Sequence, residues 1–299
     1  MIDKLEMFIA LANERHFGRA AEAVGVTQPT LSSAIRQLED ILGVQLVRRG
    51  ARFEALTPEG ERVYARALVI VGDVRAMREE MRAARIGLSG ELRIGVIPTA
   101  LPMVHRLIAP YSERHPEVTF RILSRAATEI MEEIDRLELD AGINYTGDSK
   151  RHLEIPLYEE DYCLLVAADA EEAGRDSVSW AEVGRLPLCL LTTDMQNRRI
   201  IDRLLEAAGT PARPIVESNS TIVLASHVAT GRWASVMPVL IAESLGTGRG
   251  LVVAIPIRRS RAGNPGRMVG LIVARRDPHS PTVNALLTEA RTLVDRKLL

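Results

Sequence analysis

Residues 8–60 carry an unbroken pattern of helix, turn and hairpin residues that constrains the fold more than any other part of the chain. Helical spacing of apolar residues predicts helices over 3–12, 17–24 and 28–42, the last two followed by Gly25 and Gly43. A short arginine-containing hairpin follows, so residues 1–57 are predicted to form an all-α winged helix-turn-helix. The pattern comprises Phe8, Ala20-Ala21, Gln28-Pro29, Leu38-Glu39, Leu42-Gly43, Arg48-Arg49, Leu56-Thr57 and Gly60.

The third helix is predicted to have one apolar and one polar face. Leu31, Ile35, Leu38 and Leu42 recur at helical spacing and are expected in the core. The polar face would enter the DNA major groove, where glutamine can bind adenine and hydroxyls can bind bases or phosphates. A merely solvated face is the alternative, and the hairpin arginines favour DNA because they can reach the flanking backbone. The candidate contacts are Thr27, Gln28, Pro29, Thr30, Ser32, Ser33, Arg36, Gln37, Arg48, Arg49 and Arg52.

The distribution of charge bears on how tightly such a surface could bind. The net charge of the chain is −1 at pH 7, but from Arg15 to Arg52 six basic residues stand against three acidic ones. Phosphate neutralisation supplies much of the affinity of DNA-binding proteins. A local excess this small predicts weak binding by one copy and tight binding only by more than one.

A long helix is predicted over residues 58–86. Thr57-Pro58-Glu59 has the residues of a helix start. A helix of this length spans roughly 40 Å, too long for one small domain to cover, so dimerisation is favoured over packing on its own domain alone. The predicted seam, with coiled-coil spacing, consists of Val63, Ala67, Ile70, Val74, Met77 and Met81.

Residues 87–90 are predicted to be a hinge, after which strands and helices alternate. Such alternation indicates parallel-rich sheets in an α/β fold. The chain is expected to visit one lobe, cross to a second and return, as in two-lobed periplasmic-binding-protein folds. The predicted effector-binding domain is 91–299, with lobe I at 91–162 and 268–299 and lobe II at 163–267.

Small polar residues recur where the strands of this domain give way to helices. Ligands of α/β folds bind at these ends, where helix N-termini present free N–H groups. Simple helix capping is the alternative at any one junction. Four such junctions, none of which has a dedicated carboxylate, predict that the ligand is a small anionic metabolite. Arg198, Arg199 or Arg232 could add positive charge to the site. The candidate contacts are Pro98, Thr99, Ala100, Leu101, Thr128, Thr192, Thr193, Asn219 and Ser220.

The N-terminal pattern resembles that of LysR-type transcriptional regulators over residues 5–64. Val47 stands where the family usually has Phe, and Ser33 where a basic residue is common. The resemblance implies a dimerising linker helix, a tetramer built as a pair of dimers, and a co-inducer site between the lobes that Thr99 and Thr128 would line. The matching positions are Phe8, Ala20-Ala21, Gln28-Pro29, Ser32, Leu38-Glu39, Leu42-Gly43, Leu46 to Arg49, and Leu56-Thr57 to Gly60.

Other classes of function find little support in the sequence. Cys163 and Cys189 lie in apolar strand-like runs and are interpreted as buried structural thiols. Neither a metal-binding constellation nor a nucleotide or hydrolase motif is found, so no cofactor and no catalysis are expected. The start of the chain does not resemble a leader and no apolar run reaches membrane length, which predicts a cytoplasmic protein.

The predicted mechanism is allosteric. An effector would shift the lobes, and through them the paired reading heads, the DNA bend and the access of RNA polymerase. The alternatives are a solute-binding protein or a small-molecule enzyme that happens to carry an N-terminal helical domain. DNA footprinting would discriminate, because neither alternative predicts protection of a promoter.

Overall fold

The computed structural model describes residues 1–49, 53–147, 149–245, 250–258 and 267–296. The chain forms two compact units, one built mainly on Met1–Ser89 and the other on most of residues 90–299. Within the described residues, no helix combines the length and the apolarity that crossing a membrane requires.

The first unit is the predicted winged helix-turn-helix followed by one long helix. Local sequence explains its boundaries: Thr27 caps the third helix through its Oγ1, and Gly43 ends it with a φ of 70°. β1 pairs antiparallel with β2 to form the wing. The elements are α1 (Ile2–Glu14), α2 (Phe17–Ala23), α3 (Gln28–Leu42), β1 (Val47–Arg49), β2 (Phe53–Leu56) and α4 (Pro58–Ile86).

The core of this unit is formed by the apolar faces of its helices. Leu31, Ile35 and Leu38 are fully buried, as predicted from their spacing. Leu42 was expected beside them, and this is wrong, because its side chain is 40% exposed. It occupies the last turn of α3, where the chain leaves the core at Gly43, and Ala34 is the additional buried residue of the helix.

The wing is fastened to the helices on both sides by short polar contacts. The Glu39 carboxylate on α3 accepts hydrogen bonds from the backbone N–H groups of Leu46 (2.9 Å) and Val47 (3.3 Å). Thr57 donates to the carbonyl of Gln45 (2.7 Å) and caps α4 by accepting from Gly60 N–H (2.9 Å). The hairpin is therefore held as one body with α3 and the start of α4.

Replacing Gly60 with alanine should destabilise this unit. A Cβ at Gly60 would lie 2.1 Å from the carbonyl oxygen of Leu46, so backbone must move. We expect Gly60→Ala to lower the free energy of unfolding by about 1–3 kcal/mol, measured by urea unfolding followed by circular dichroism. Gly174→Ala is the control, because nothing lies within 4 Å of its Cβ. Equal stability of both variants would contradict the close approach.

The long helix α4 packs on its own unit along only part of its length. Ala67 and Val71 are buried in the core of the winged domain. Three residues of the predicted seam, Ile70, Met77 and Met81, are 43%, 56% and 61% exposed. Val63 and Val74 are partly exposed. The seam therefore divides between residues covered by the unit's own helices and residues that lie on the surface.

Lobe I of the second unit is built on a five-stranded mixed sheet with the order β4-β3-β5-β12-β6. β3 is parallel to β4 and β5, whereas β12 is antiparallel to β5 and β6. The strands are β3 (Gly90–Val96), β4 (Val118–Ser124), β5 (Ala141–Tyr145), β6 (His152–Glu160) and β12 (Arg267–Ala274). A 3₁₀ helix (Pro98–Met103) precedes α5 (Val104–Arg114), and α6 (Ala127–Asp135) and α11 (Pro281–Asp295) complete the lobe's helices among the described residues.

Lobe II begins at Tyr162, one residue before the predicted start at 163, because β7 starts there and pairs with β10 and β11 of the second lobe. β7 is the central strand of a three-stranded antiparallel sheet with the order β10-β7-β11, and β8 pairs parallel with β9. The described strands are β7 (Tyr162–Ala167), β8 (Cys189–Leu191), β9 (Val216–Ser218), β10 (Ser235–Pro238) and β11 (Val252–Pro256). The helices are a 3₁₀ turn (Glu171–Gly174), α7 (Trp180–Val183), α8 (Gln196–Ala207), α9 (Thr221–Val228) and α10 (Val239–Ser244).

The sheets are less parallel than the alternating pattern predicted. The strands next to the crossings between the lobes, β6, β7 and β12, all pair antiparallel. A parallel pair of consecutive strands requires a crossover, usually a helix, and the alternation of strand and helix is interrupted where β6 passes directly into β7. The alternating pattern did not indicate the short helices α7 and α10.

Candidate functional site

The polar face of α3 lies on the surface of the winged domain. Of the predicted DNA contacts whose side chains the structure describes, only Ser32 is partly covered. The others, which are exposed, are Thr27, Gln28, Pro29, Thr30, Ser33, Arg36, Gln37 and Arg48. Arg49 belongs to β1, but its side chain and the whole of Arg52 lie outside the described residues, as does the turn residue Gly50.

Arg36 and Arg48 are available to bind an external anion. Each is exposed, and neither forms an ion pair within the part of the chain that the structure describes. Some neighbouring polar groups are engaged locally: the hydroxyls of Thr27 and Thr30 lie 2.9 Å apart, and Gln37 donates to Ser33 (3.3 Å). The face therefore combines two unpaired cations with hydroxyls and amides held in fixed positions.

A second candidate site lies between the two lobes of the second unit, which is called the sensor unit below. A small cavity there has a volume of about 10 Å³. A space of this size holds roughly one water molecule. Lobe I contributes the start of its 3₁₀ helix, Ala127 and the end of β5, and lobe II contributes the end of β8 and the start of α8. The lining residues are Ile97, Pro98, Thr99, Ala127, Tyr145, Leu191, Met195, Gln196 and Asn197.

A buried carboxylate, Glu160, lies at the centre of this junction. Its Oε2 accepts hydrogen bonds from the hydroxyls of Tyr145 (2.7 Å) and Tyr162 (2.8 Å) and from Nδ2 of Asn197 (3.3 Å). Tyr145 and Glu160 belong to lobe I, and Tyr162 and Asn197 belong to lobe II. The side chains that meet at Glu160 therefore join the two lobes.

A β-bulge explains why Glu160, and not Glu159, is buried. Along a regular strand alternate residues share a face, so Glu159 would follow Ile155 and Leu157 into the core. The pairing of β6 with β12 shifts between Val269 and Gly270. The extra residue reverses the alternation, so that Glu160 is 2% exposed and Glu159 lies at the surface.

Several polar atoms at this junction are buried without a hydrogen-bond partner. They are Oε1 of Glu160, Oδ1 of Asn197 and Oγ1 of Thr99, together with Oγ1 of the nearby Thr192. The Thr99 hydroxyl is nevertheless near enough to Glu160 to lower the pKa of that carboxyl. Glu160, Asn197 and Thr99 are 2%, 3% and 1% exposed. Buried polar atoms are almost always paired in folded proteins, so this cluster has unused capacity to bind a polar group.

Only some of the predicted effector contacts reach this cavity. Pro98 and Thr99 line it, and Ala100 is buried in the same 3₁₀ helix. Leu101 and Thr128 are exposed, and the first turn of α6 is already capped by the Glu129 carboxylate, which accepts from Ala126 N–H. Of the remaining candidates, Thr193 and Asn219 are exposed and Thr192 and Ser220 are partly exposed, none of them lining the cavity.

The premise that the site lacks a carboxylate is wrong. Asn197 lies in the first turn of α8, whose N-cap, Met195, makes no side-chain cap. Because a helix N-terminus favours negative charge, the nearby Glu160 supplies the anion that an external ligand was expected to supply. The sequence could not indicate this, because the bulge and the crossing of the chain between lobes bring Glu160 and Asn197 together.

The arginines considered for the site are placed elsewhere. Arg198 is buried but is bonded to Asp202 (2.7 Å), to the carbonyl of Leu191 (2.7 Å) and to Glu217. It therefore ties α8 to β8 and β9. Arg199 is exposed, and Arg232 lies over the ring of Trp233 at 5.0 Å. None of these arginines lines the cavity.

Burial raises the pKa of Glu160 above its ordinary value of 4.5, and hydrogen bonds from Tyr145 and Tyr162 oppose the rise. A raised native pKa contributes stability below pH 4.5 that is lost as pH rises through the native value. The free energy of unfolding of the wild type, relative to Glu160→Gln, should therefore fall with rising pH. Urea unfolding followed by tryptophan fluorescence measures it, since Trp180 and Trp233 lie in this unit.

Glu159→Gln is the matched control for this prediction, because Glu159 is the exposed neighbour of Glu160 on the same strand. Its pH profile should follow that of the wild type. Parallel profiles for the wild type and Glu160→Gln would show that the Glu160 carboxyl does not titrate with an altered pKa.

Comparison with known families decides the class of protein. Residues 2–61 match the family model of the bacterial regulatory helix-turn-helix proteins of the lysR family, and residues 85–295 match that of the LysR substrate binding domain. The chain belongs to the LysR family. This LysR regulator is thus a DNA-binding transcription regulator with an effector-binding domain, as its N-terminal pattern implied.

Its relatives include regulators named for hydrogen peroxide. The Escherichia coli K12 "DNA-binding transcriptional dual regulator OxyR" is 28% identical, over 98% of this chain and 96% of the relative. A "Hydrogen peroxide-inducible genes activator" of Pectobacterium carotovorum is 30% identical over 80% of each chain. A full-length OxyR variant from Pseudomonas aeruginosa has a TM-score of 0.76 at 29% identity, over 97% of this chain and 94% of that one. The structure of CbnR with its target DNA, at 19% identity and TM-score 0.62, covers 98% and 99% and shares the fold.

Proposed function

We propose that this LysR regulator binds promoter DNA through two copies of the surface formed by α3 and the wing, and that a small molecule held between the lobes of the sensor unit changes that binding. The exposed, unpaired Arg36 and Arg48 beside the hydroxyls and amides of α3 support the first part. The unpaired buried polar atoms around Glu160 support the second. The solved CbnR–DNA complex, on the same fold, favours DNA as the partner.

Arg36 provides the direct test of the DNA surface. One arginine contact to a base edge is worth about 1–3 kcal/mol, or roughly 5- to 150-fold in affinity. Arg36→Ala should weaken binding to the fragment upstream of the chain's own gene by that factor, measured by fluorescence anisotropy. Arg199→Ala, an exposed arginine of the sensor unit, is the control and should bind like the wild type. If Arg36→Ala also bound unchanged, α3 would not be the reading helix.

We propose that α4, residues 58–86, is the dimerisation helix. It would connect the DNA-binding domain, residues 1–57, to the sensor domain, residues 91–299, through a hinge at residues 87–90. The exposed Ile70, Met77 and Met81 support this, because exposed apolar residues at heptad spacing are typical of a coiled-coil seam. Two DNA-binding domains acting together would compensate for the weak binding that the small positive charge of each one predicts. A tetramer made of two dimers is the larger assembly that we propose for the regulator.

Placing charged residues on the exposed part of the seam should dissociate a dimer that is joined along α4. Met77→Glu combined with Met81→Glu would bury two carboxylates in an apolar interface, which is strongly unfavourable. Light scattering after gel filtration should show the mass falling toward the 32.9 kDa of one chain. Arg82→Glu, an exposed change outside the seam on α4, should leave the mass unchanged. An unchanged mass in the double variant would assign dimerisation to other surfaces.

We propose that any response to peroxide in this chain does not use its thiols. The Pectobacterium carotovorum relative is named for hydrogen peroxide, but peroxide oxidises thiolates that are accessible. Cys163 and Cys189 are 3% and 0% exposed. Burial raises the pKa of Cys163 to about 12 and that of Cys189 to about 11. The burial of both thiols therefore supports the structural role that was predicted from the apolar strands in which they lie.

The proposed mechanism is a shift between two arrangements of the lobes. A ligand can shift an equilibrium only by binding its two states unequally, and the Glu160 cluster offers this because its groups come from both lobes. The shift would alter the paired reading heads, the bend of the promoter and the access of RNA polymerase. We infer that the chain acts by binding and not by catalysis, as its regulator relatives do, and that it works in the cytoplasm beside the chromosome.

A further inference from the structure

We propose that the cavity beside Glu160 binds a primary ammonium group, either as the ammonium ion or as the end of a small organic amine. The proposal rests on the effector site proposed above. It names the class of ligand that the buried groups select, and it replaces the small anion that the helix N-termini alone had suggested.

The unpaired atoms around the cavity are mostly acceptors. Oε1 of an ionised Glu160 and Oδ1 of Asn197 can only accept hydrogen bonds, while the Thr99 hydroxyl can donate or accept. A guest that satisfies them must therefore donate at least two hydrogen bonds. A carboxylate or phosphate donates none when ionised, so an anion would leave these acceptors unpaired.

Charge favours the same class of guest. Hydrogen bonds to Oε2 of Glu160 from two phenols and an amide oppose the effect of burial, which raises the pKa of the group. A cation in the cavity would favour the ionised form. No arginine among those considered lines the cavity, and Arg198 is held by its own carboxylates. A second anion beside Glu160 would be repelled in a site of low dielectric constant, whereas a cation would be attracted.

Size restricts the guest further. The cavity of about 10 Å³ has room for one water-sized group, and an ammonium group is close to water in size. A larger organic amine would place only its ammonium end here, and a quaternary ammonium group would be too large and lacks N–H donors. The apolar lining, including Ile97, Leu191 and Met195, would contact the alkyl part of an amine.

Methylammonium chloride is the probe, titrated into the full-length protein by isothermal calorimetry at constant ionic strength and neutral pH. We expect saturable binding that Glu160→Gln weakens about tenfold or more, since a hydrogen bond to a charged group is lost. Glu159→Gln should bind like the wild type. Tetramethylammonium chloride, with equal charge and no N–H group, and sodium acetate should show no saturable binding.

Thr99→Val serves if Glu160→Gln fails to fold. It keeps the shape of the side chain and removes a buried hydroxyl that lacks a partner, so it should fold and still weaken methylammonium binding. The inference is overturned if methylammonium does not saturate, if acetate binds in its place, or if Glu160→Gln and Thr99→Val both bind it as the wild type does.

The effector role itself has a separate readout. Anisotropy of the promoter fragment, with and without methylammonium at saturation, tests whether the cavity is coupled to DNA binding. Saturable, Glu160-dependent binding without a change at the promoter would support the ligand class and count against the effector role. A promoter response to acetate alone would support the effector role and overturn the ligand class.

Discussion

The sensor unit depends on one buried carboxylate held by groups from both of its lobes. Tyr145, Tyr162 and Asn197 donate hydrogen bonds to Glu160 and oppose part of the rise in pKa that burial causes. Two of these donors belong to the opposite lobe, and each hydrogen bond to a charged group contributes about 1.5–3 kcal/mol. Separating the lobes would remove those donors and leave the charge poorly paired, unless a proton or water compensated. The relative position of the lobes and the state of Glu160 are therefore coupled.

The winged domain depends on rigid connections between the wing, α3 and α4. Glu39 fastens the wing to α3, and Thr57 fastens it to the start of α4. Ala67 and Val71 then bury the next turns of α4 in the same core. A rotation or shift of α4 must therefore carry α3 and the wing with it. In a dimer joined along α4, a change in how the helices meet would change the separation of the two reading surfaces.

Sequence predicted best what is decided locally. The ends of α3 and α4 follow from caps such as Thr27 and Thr57, which act within three residues of themselves. Leu42 was misplaced because helical periodicity does not tell where a core ends. The antiparallel pairing of β7 with β10 and β11, and of β12 with β5 and β6, was missed. It depends on which lobe the chain enters next. In each case the missing information is tertiary.

The proposed effector site shows the same division more sharply. Thr99 could be predicted from its place after a strand, because that rule depends on neighbours in the chain. Glu160 could not, since a single bulge opposite Gly270 decides which of two adjacent glutamates faces inward. Alternation would have selected Glu159. The expectation of an anionic ligand took no account of this carboxylate, because Glu160 comes from another part of the chain than the N-terminus of α8, near which it lies.

The positions of the unpaired acceptors explain how so small a site could control the arrangement of the lobes. Oε1 of Glu160 belongs to lobe I and Oδ1 of Asn197 to lobe II. A donor that bonds both at once requires the lobes to keep their present spacing, so it binds this arrangement better than an open one. That unequal affinity is the condition for a population shift. A guest bound to either lobe alone would leave the equilibrium unchanged, however tightly it bound.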